Sequence, residues 1–295
     1  PFESISLILP YYYGLQNFSV KDRSNPEKFM KQASYWGYMP FTQSTHYLGL
    51  LIIIISFFSL WYCFKIKDFS RTELYLWIIA IAVLVTGFGS HFSILYKPLF
   101  KLAPFFSKFR VPSMIYMMLS LLLPMIAAIG LDKITNRNNK NTLFDDAVKI
   151  FGMFIALSLI LLLIGESLLS FSSSGDVRFT QYVEIVKNIR IDLFNKGVII
   201  ALLISSGALF SIWLYSKDRI SKQILSIILI GILVADLWVI NNEFLSLKSS
   251  KSMGNQFIQT QDVKFINNDK SKFRVFPADE ISSNKFGYWN IESIG

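Results

Sequence analysis

The residues best suited to bind a charged ligand lie at the end of the run Ser90–Pro112, SHFSILYKPLFKLAPFFSKFRVP. Lys108 and Arg110 stand there, just before an apolar segment. A guanidinium matches phosphate oxygens with a planar set of donors and stays charged at any working pH. A fixed cation also stabilises the charge that a phosphate leaving group gains as its bond breaks. We predict that both residues bind phosphate; the alternative is interfacial anchoring by snorkelling side chains.

Other polar and aromatic positions have two interpretations each. Asp236 lies about one turn inside an apolar segment, where an acid is costly and usually faces a cavity or a cation. It either supports a site or forms a structural ion pair. His91 and His46 flank apolar segments and titrate near neutrality, but boundary histidines also serve as simple hydrogen-bonding residues. Tyr35 and Trp36 could stack on a sugar ring or lie at the membrane interface as amphipathic rings.

The composition indicates a polytopic membrane protein. Of 295 residues, 53% are hydrophobic and 16% are aromatic, and mean hydropathy is +0.44. The net charge of +9 would suggest nucleic acid in a soluble protein. Here most cations lie in short loops between apolar runs, so we exclude nucleic acid and predict contact with anionic lipid headgroups. The single cysteine, Cys63, excludes a disulfide within the chain.

Six apolar segments of 17 to 19 residues are long enough to cross a membrane. At ~1.5 Å per residue, each spans roughly 26–29 Å as a helix. Isolated strands could not satisfy their backbone polar groups in lipid, so helices are predicted. Pro124 should kink the third. The segments are Tyr47–Phe64, Glu73–Gly89, Ser113–Leu131, Ile150–Leu168, Gly197–Tyr215 and Gln223–Ile240.

The distribution of lysine and arginine predicts the orientation. The three short connections after segments one, three and five together carry ten lysines and arginines. The positive-inside rule places these connections in the cytoplasm. The run Ser90–Pro112 and everything after Asn241 then face out.

Two stretches are predicted to lie in the outer membrane interface. Within 91–112, apolar side chains fall on one helical side and lysines on the other, and Pro104 should interrupt the helix. Within 176–195, one face is apolar in the same way. No phosphate-binding glycine loop, nucleotide motif or metal-ligand spacing occurs in the sequence.

The predicted fold class is mainly α: a six-helix transmembrane bundle with outer interfacial helices. Residues 1–45 form an extracytoplasmic loop, and 46–241 form the transmembrane region. Residues 242–295 begin an extracytoplasmic α/β domain, in which Lys272–Pro277 alternates as a strand does. The chain starts at Pro1 and ends in what looks like the middle of a domain, so we interpret it as a fragment cut at both ends.

Several short motifs together resemble the YfhO family of bacterial membrane proteins. Their order and spacing carry the resemblance, which covers essentially the whole chain. The most specific is Phe106–Ser113, FSKFRVPS. The others are Tyr35–Thr42 (YWGYMPFT), His46–Gly49 (HYLG), Ala235–Trp238 (ADLW), Phe273–Pro277 (FRVFP) and Ile291–Gly295 (IESIG).

The resemblance implies a GT-C type glycosyltransferase in the bacterial plasma or inner membrane. Such an enzyme transfers a sugar from a polyprenyl-phosphate donor, undecaprenyl phosphate, to an envelope polysaccharide, a teichoic-acid-like polymer or a glycolipid. Its catalytic acid lies in the first outer loop, upstream of Pro1, so no catalytic residue is assigned here. Arg110 and Lys108 would bind the donor phosphate. Asp236, His91, Tyr35 and Trp36 would line or support the cavity. No cofactor is identified, and a divalent metal is neither required nor excluded.

Two other classes of function stay open. A transporter or flippase of lipid-linked sugars would use the same cations and cavity without a catalytic acid. A non-catalytic envelope protein would use the outer domain to bind partners. An acid in the first outer loop would favour the enzyme, whereas inverted repeats with broken helices would favour the transporter.

Overall fold

The computed structural model describes residues 2–15, 30–31, 34–37, 47–103, 106, 112–136, 140–173, 176, 182–245, 259–269, 271, 274–275 and 289–292. The chain divides into two compact units, Pro1–Leu245 and Ser246–Gly295. The described part is mainly helical. Its α-helices are α1 (Leu50–Ile66), α2 (Arg71–Gly87), α3 (Ser93–Leu102), α4 (Leu119–Thr135), α5 (Lys140–Leu168), α6 (Val183–Ser216), α7 (Lys222–Asn241) and α8 (Gln261–Asn268).

Four helical stretches are long and apolar enough to cross a membrane. They are Ser113–Thr135, which adds a 3₁₀ turn to α4, then Thr142–Leu168, Val183–Ser216 and Lys222–Asn241. Each overlaps a predicted segment, so the prediction of a helical membrane protein is confirmed at this level. The first two predicted segments overlap α1 and α2, which have 17 residues each. A bundle of six spans stays a prediction.

Local sequence explains where several helices begin and end. The side chain of Ser70 accepts a hydrogen bond from the Glu73 N–H and caps the start of α2. Ser221 caps α7 in the same way through the Ile224 N–H. At the other end of α1, Lys67 adopts a left-handed conformation with φ of 55°, which stops the helix.

Helix α1 lies at the centre of the first unit. It is apolar on all sides, and it contacts α4, α5, α6 and α7. Helix α2 packs on α4 and on the 3₁₀ turn Pro112–Met118, while α5 and α6 pack against each other along their length. This arrangement surrounds α1 with helices, and the core is built from its isoleucine, leucine and phenylalanine side chains together with apolar residues of α4, α5, α6 and α7.

Two helices start ten or more residues before the predicted segments. Helix α5 starts at Lys140 rather than at Ile150. Helix α6 runs without interruption through 34 residues, about 51 Å. The predicted interfacial stretch 176–195 and the predicted span that starts at Gly197 therefore share one helix from Val183 onwards. The polar residues that bounded the predicted segments are compatible with helix, and no proline interrupts α6.

The other predicted interfacial stretch forms a short helix. Helix α3 follows a 3₁₀ turn at Gly89–Phe92 and ends at Leu102, shortly before Pro104 in the sequence. Ile94 and Leu102 are largely exposed, as are Lys97 and Lys101. A position of α3 in the membrane interface stays a prediction.

The second unit has a small core in its described part. Val263 of α8 and Ile291 are buried, and Val275 and Trp289 pack on them. The Val275 N–H donates a hydrogen bond to the carbonyl of Glu292 at 2.9 Å. Among the described residues this is an isolated bridge rather than a strand, so an extracytoplasmic α/β domain stays a prediction.

The close approach of α1 and α4 depends on Gly130. A Cβ atom there would lie 2.7 Å from the backbone carbonyl oxygen of Ile55. We expect Gly130→Ala to push the helices apart and to lower the free energy of unfolding by ~1–3 kcal/mol, measured by thermal unfolding in detergent.

Gly231 of α7 is the matched control, because a Cβ atom there would meet nothing within 4 Å. We expect Gly231→Ala to be neutral or to stabilise by up to ~1 kcal/mol, since alanine favours helix. Equal effects of the two substitutions would contradict the packing described for Gly130.

Candidate functional site

The predicted phosphate-binding residues, Lys108 and Arg110, lie outside the residues that the structure describes. His46 does as well. His91 lies in the 3₁₀ turn before α3, and its side chain is exposed. The roles predicted for these residues therefore stay predictions.

Tyr35 and Trp36 pack inside the first unit. Tyr35 is buried, and its hydroxyl donates a 2.6 Å hydrogen bond to Glu3. Trp36 lies among aromatic rings with centroids 5.0 to 6.1 Å away: those of Tyr12, Tyr13 and Phe171. These contacts fix the segment 34–37 against residues 3–13 and against the chain just after α5. Stacking of either ring on a sugar stays a prediction.

Asp236 caps a neighbouring helix. It is 1% exposed, and its carboxylate accepts hydrogen bonds from the Tyr47 hydroxyl at 2.5 Å and from the Leu50 N–H at 2.9 Å. The N-cap position of α1 is Gly49, which has no side chain with which to cap. The carboxylate from α7 supplies the missing acceptor at the positive end of α1. Neither prediction for Asp236, a cavity residue or an ion pair, anticipated this cap.

A buried arginine was missed by the sequence analysis. Arg190 of α6 is 1% exposed and makes four hydrogen bonds of 2.7–2.8 Å. Two go to the carboxylate of Asp176, and one each to the carbonyls of Ser34 and Phe171. The guanidinium thus ties the segment 34–37 and the chain after α5 to α6. The only indication of this site in the sequence was that Arg190, a charged residue, lies beside the apolar face of α6.

A second charged cluster centres on Glu243, just after α7. Its carboxylate accepts hydrogen bonds from Lys31 at 3.0 Å and Lys196 at 2.9 Å. Lys196 also lies 4.9 Å from the ring centroid of Tyr11. Burial raises the pKa of Glu243, but the two ammonium groups outweigh burial and leave its pKa below the ordinary value. Burial raises the pKa of the Tyr11 hydroxyl, and Lys196 offsets part of that rise.

A third polar cluster joins α1, α2 and α4. Lys133 donates hydrogen bonds to Glu73 at 2.5 Å, to the thiol of Cys63 at 2.9 Å and to Ser59 at 3.1 Å. Ser59 and Cys63 also donate to the two oxygens of Glu73. The side chain of Glu73 is 1% exposed and that of Lys133 is 18% exposed. The hydrogen bonds from Ser59 and Cys63 offset part of the cost of burying the charges of Glu73 and Lys133.

The same three helices and the 3₁₀ turn Phe2–Leu7 line a partly open apolar cavity of about 190 Å³. The hydroxyl-bearing residues Ser4 and Ser56 also line it. Ser56 donates to the carbonyls of Ile52 and Leu123, so that hydroxyl is already bonded to the helices. The apolar lining includes Ile53, Phe57, Ala80, Leu84 and Leu119. Such a surface suits a hydrocarbon chain and offers no place for a free charge.

Metal ligands are not grouped in the described residues. No set of three or more histidine, cysteine, aspartate or glutamate side chains lies close enough there to hold an ion. A metal requirement is thus neither supported nor excluded by the described part of the chain.

Comparison with known proteins gives no relative. No family model matches the sequence, no curated protein matches it, and no solved structure matches the fold. The resemblance to the YfhO family therefore stays a prediction that rests on the motifs themselves.

The cluster around Glu243 predicts a pH dependence of stability. Because the folded-state pKa is lowered, its stabilisation is present above the unfolded glutamate pKa of about 4.3 and is lost as pH falls through the folded-state pKa. We expect Glu243→Gln to reduce the free energy of unfolding by up to ~1 kcal/mol at pH 7, since the lysines are partly exposed.

The difference between wild type and Glu243→Gln should shrink as pH falls below the unfolded glutamate pKa of about 4.3, measured by thermal unfolding across pH. Glu184→Gln, at an exposed glutamate in the first turn of α6, is the control and should show little difference at any pH. A Glu243→Gln deficit that persists unchanged at acidic pH would contradict the assignment.

Proposed function

We propose that this chain is part of a GT-C type membrane glycosyltransferase related to the YfhO family. It would transfer a sugar from a polyprenyl-phosphate donor, such as undecaprenyl phosphate, to a cell-envelope acceptor. The reaction would take place on the outer face of the bacterial plasma membrane. The single observation that carries this proposal is the apolar cavity between α1, α2 and α4, next in the chain to the basic run Ser90–Pro112.

The cavity and the basic run are linked through the chain. Leu84 of α2 and Leu119 of α4 both line the cavity. Between these two lining residues the chain passes through the basic run Ser90–Pro112. Arg110 therefore precedes the lining residue Leu119 by nine residues in the sequence. A polyprenyl phosphate needs an apolar slot for its chain and cations for its head. The cavity lining provides the apolar surface, and the basic run that joins its two walls in the sequence provides the cations.

The size of the cavity fits part of one hydrocarbon chain. A dry apolar cavity of about 150 Å³ is enough to bind benzene. The volume of about 190 Å³ here therefore accommodates a short segment of a single isoprenoid chain, with the remainder in lipid.

The proposal includes the finer topology. Helices α1 and α2, each about 26 Å long, complete six spans with the four longer helices. The lysine-rich connections lie in the cytoplasm by the positive-inside rule, and the basic run and the second unit lie outside. The second unit would then begin an extracytoplasmic α/β domain.

Arg110 and Lys108 would hold the donor phosphate and stabilise the charge that develops on it as the sugar leaves. Asp236 would act indirectly, because it fixes the start of α1 beside the cavity. The family resemblance implies a catalytic acid in the first outer loop of such enzymes, which would activate the acceptor.

A transporter of lipid-linked sugars is the second candidate. The observation in its favour is the buried pair of Glu73 and Lys133, since ionisable residues at membrane depth often mark ion or substrate pathways. Both functions use the cavity. They differ in whether the sugar is transferred or the donor crosses the membrane intact.

Arg110 provides the direct test of the proposed enzyme. We expect the full protein in liposomes to transfer labelled sugar from a polyprenyl-phosphate donor to an envelope acceptor. Arg110→Ala should lower that transfer about 100-fold or more, as loss of one charge-stabilising donor does. Lys101→Ala, an exposed lysine in the same run, should change it little.

Transfer that is unaffected by Arg110→Ala would contradict the phosphate-binding role. Donor translocation in the absence of any transfer would contradict the enzyme and favour the transporter.

Ala80 tests the cavity itself. It lines the cavity and is 4% exposed, so Ala80→Phe should fill the space and raise the KM for the donor roughly tenfold. Ala82, two residues away on the exposed side of α2, is the matched control. An equal KM for Ala80→Phe and Ala82→Phe would show that the donor chain does not use this cavity.

A further inference from the structure

Two lysines converge on one carboxylate just after α7. The ammonium nitrogens of Lys31 and Lys196 contact the same oxygen, Oε1 of Glu243, at 3.0 and 2.9 Å. The two nitrogens therefore lie within about 6 Å of each other, a distance that one phosphate group can bridge with charge-assisted hydrogen bonds. Two positive charges and one negative charge leave this group of three side chains with a net positive charge. We call Lys31 and Lys196 the lysine pair.

Both ammonium groups keep donors for a ligand. Each has three N–H groups. Lys31 uses two of them on the two oxygens of Glu243, and Lys196 uses one on Oε1. The ring of Tyr11 helps to hold Lys196 in place, since its centroid lies 4.9 Å from the ammonium nitrogen. The lysine side chains are 38% and 41% exposed and that of Glu243 is 23% exposed, so an anion can reach the two cations.

The lysine pair lies where the apolar parts of α6 and α7 end. Lys196 is the last charged residue before the apolar run 197–215 of α6, and Glu243 follows the largely apolar run 223–240 of α7. The two helices pack against each other, and both are long enough to cross a membrane. This boundary between apolar and polar residues would place the pair at the depth of the lipid phosphates. The lysine-rich connection 217–222 joins the other ends of the two helices.

An exposed apolar stripe continues from Lys196 along α6. Ile199, Leu203 and Phe210 follow it by three, seven and fourteen residues, which places them on the same face of the helix. All three side chains are exposed. A hydrocarbon chain packed on this stripe would bring its phosphate group to the lysine pair, whereas a free phosphate ion would gain nothing from the stripe. The stripe therefore favours a phosphate that belongs to a lipid.

We propose that the lysine pair binds the phosphate group of an anionic membrane lipid, whose hydrocarbon chain lies along the stripe of Ile199, Leu203 and Phe210. Glu243 sets the spacing of the two ammonium groups, and its charge limits the affinity of the site. None of these residues lines the cavity between α1, α2 and α4. The site is thus separate from the proposed donor site and does not depend on sugar transfer.

The test is native mass spectrometry of the full protein in detergent, with dioctanoyl phosphatidylglycerol as the anionic probe and dioctanoyl phosphatidylcholine as the neutral one. Wild type should prefer the anionic lipid. Lys31→Met and Lys196→Met should each weaken its binding roughly fivefold, as expected for the loss of one cation near a lipid surface. Lys187→Met, at an exposed lysine of the same helix α6, is the matched control and should change little.

Glu243→Gln separates ligand binding from a loosened fold. It breaks the same ion pairs as the lysine variants do but keeps both cations. Phosphatidylglycerol should therefore bind to it as tightly as to wild type or more tightly. Sodium phosphate, added at the ionic strength of a sodium chloride control, should not displace the lipid, because the ion lacks a chain to pack on the stripe.

Three results would overturn the proposal. The first is an unchanged affinity for phosphatidylglycerol in both lysine variants. The second is an equal loss of affinity in Lys196→Met and Glu243→Gln, which would show that the ion pairs only hold the chain together. The third is displacement of the lipid by sodium phosphate, which would show that the site takes a free anion.

Discussion

A polar group buried among apolar side chains has no water to bond with, so each such group must find its partner in the protein. This constraint explains where the charged side chains of the first unit lie. Asp236 accepts a hydrogen bond from the backbone at the start of α1. The guanidinium of Arg190 donates four hydrogen bonds. The carboxylate of Glu73 accepts hydrogen bonds from three side chains. Each of these groups joins elements that are distant in sequence, and together they fix the helices relative to one another.

The cavity follows from the same arrangement. Helix α1 is tied at its start, Leu50, to Asp236 of α7, and further along at Ser59 to Glu73 of α2. Between these two ties, α1 contributes Ile53, Ser56 and Phe57 to the cavity lining. Contacts there are mainly apolar and give no fixed polar geometry. The structure thus places an adaptable apolar space between two rigid polar contacts, a combination suited to a lipid chain of variable conformation.

The sequence was sufficient for the helices and insufficient for their partners. Segment length and hydropathy located the four helices that are long and apolar enough to cross a membrane, because these properties depend on local composition. The predicted starts of the segments were wrong where a helix continues through polar residues, as α5 does from Lys140 and α6 does from Val183. The sequence indicated that burying Asp236 is energetically unfavourable without a partner. It could not indicate the partner, because a backbone N–H on another helix has no signature in the sequence. Arg190 was missed for the same reason, and the basic run at Lys108 lies outside the described residues.

We propose that the cavity between α1, α2 and α4 holds the isoprenoid chain of a polyprenyl-phosphate donor. Photo-crosslinking tests it most directly, with a diazirine in the isoprene units near the phosphate and the full protein in liposomes. The account predicts adducts on cavity residues such as Phe57, Leu84 and Leu119, suppressed by an excess of unlabelled polyprenyl phosphate. Adducts confined to the lipid-facing surfaces of α5 and α7, with none in the cavity, would contradict it.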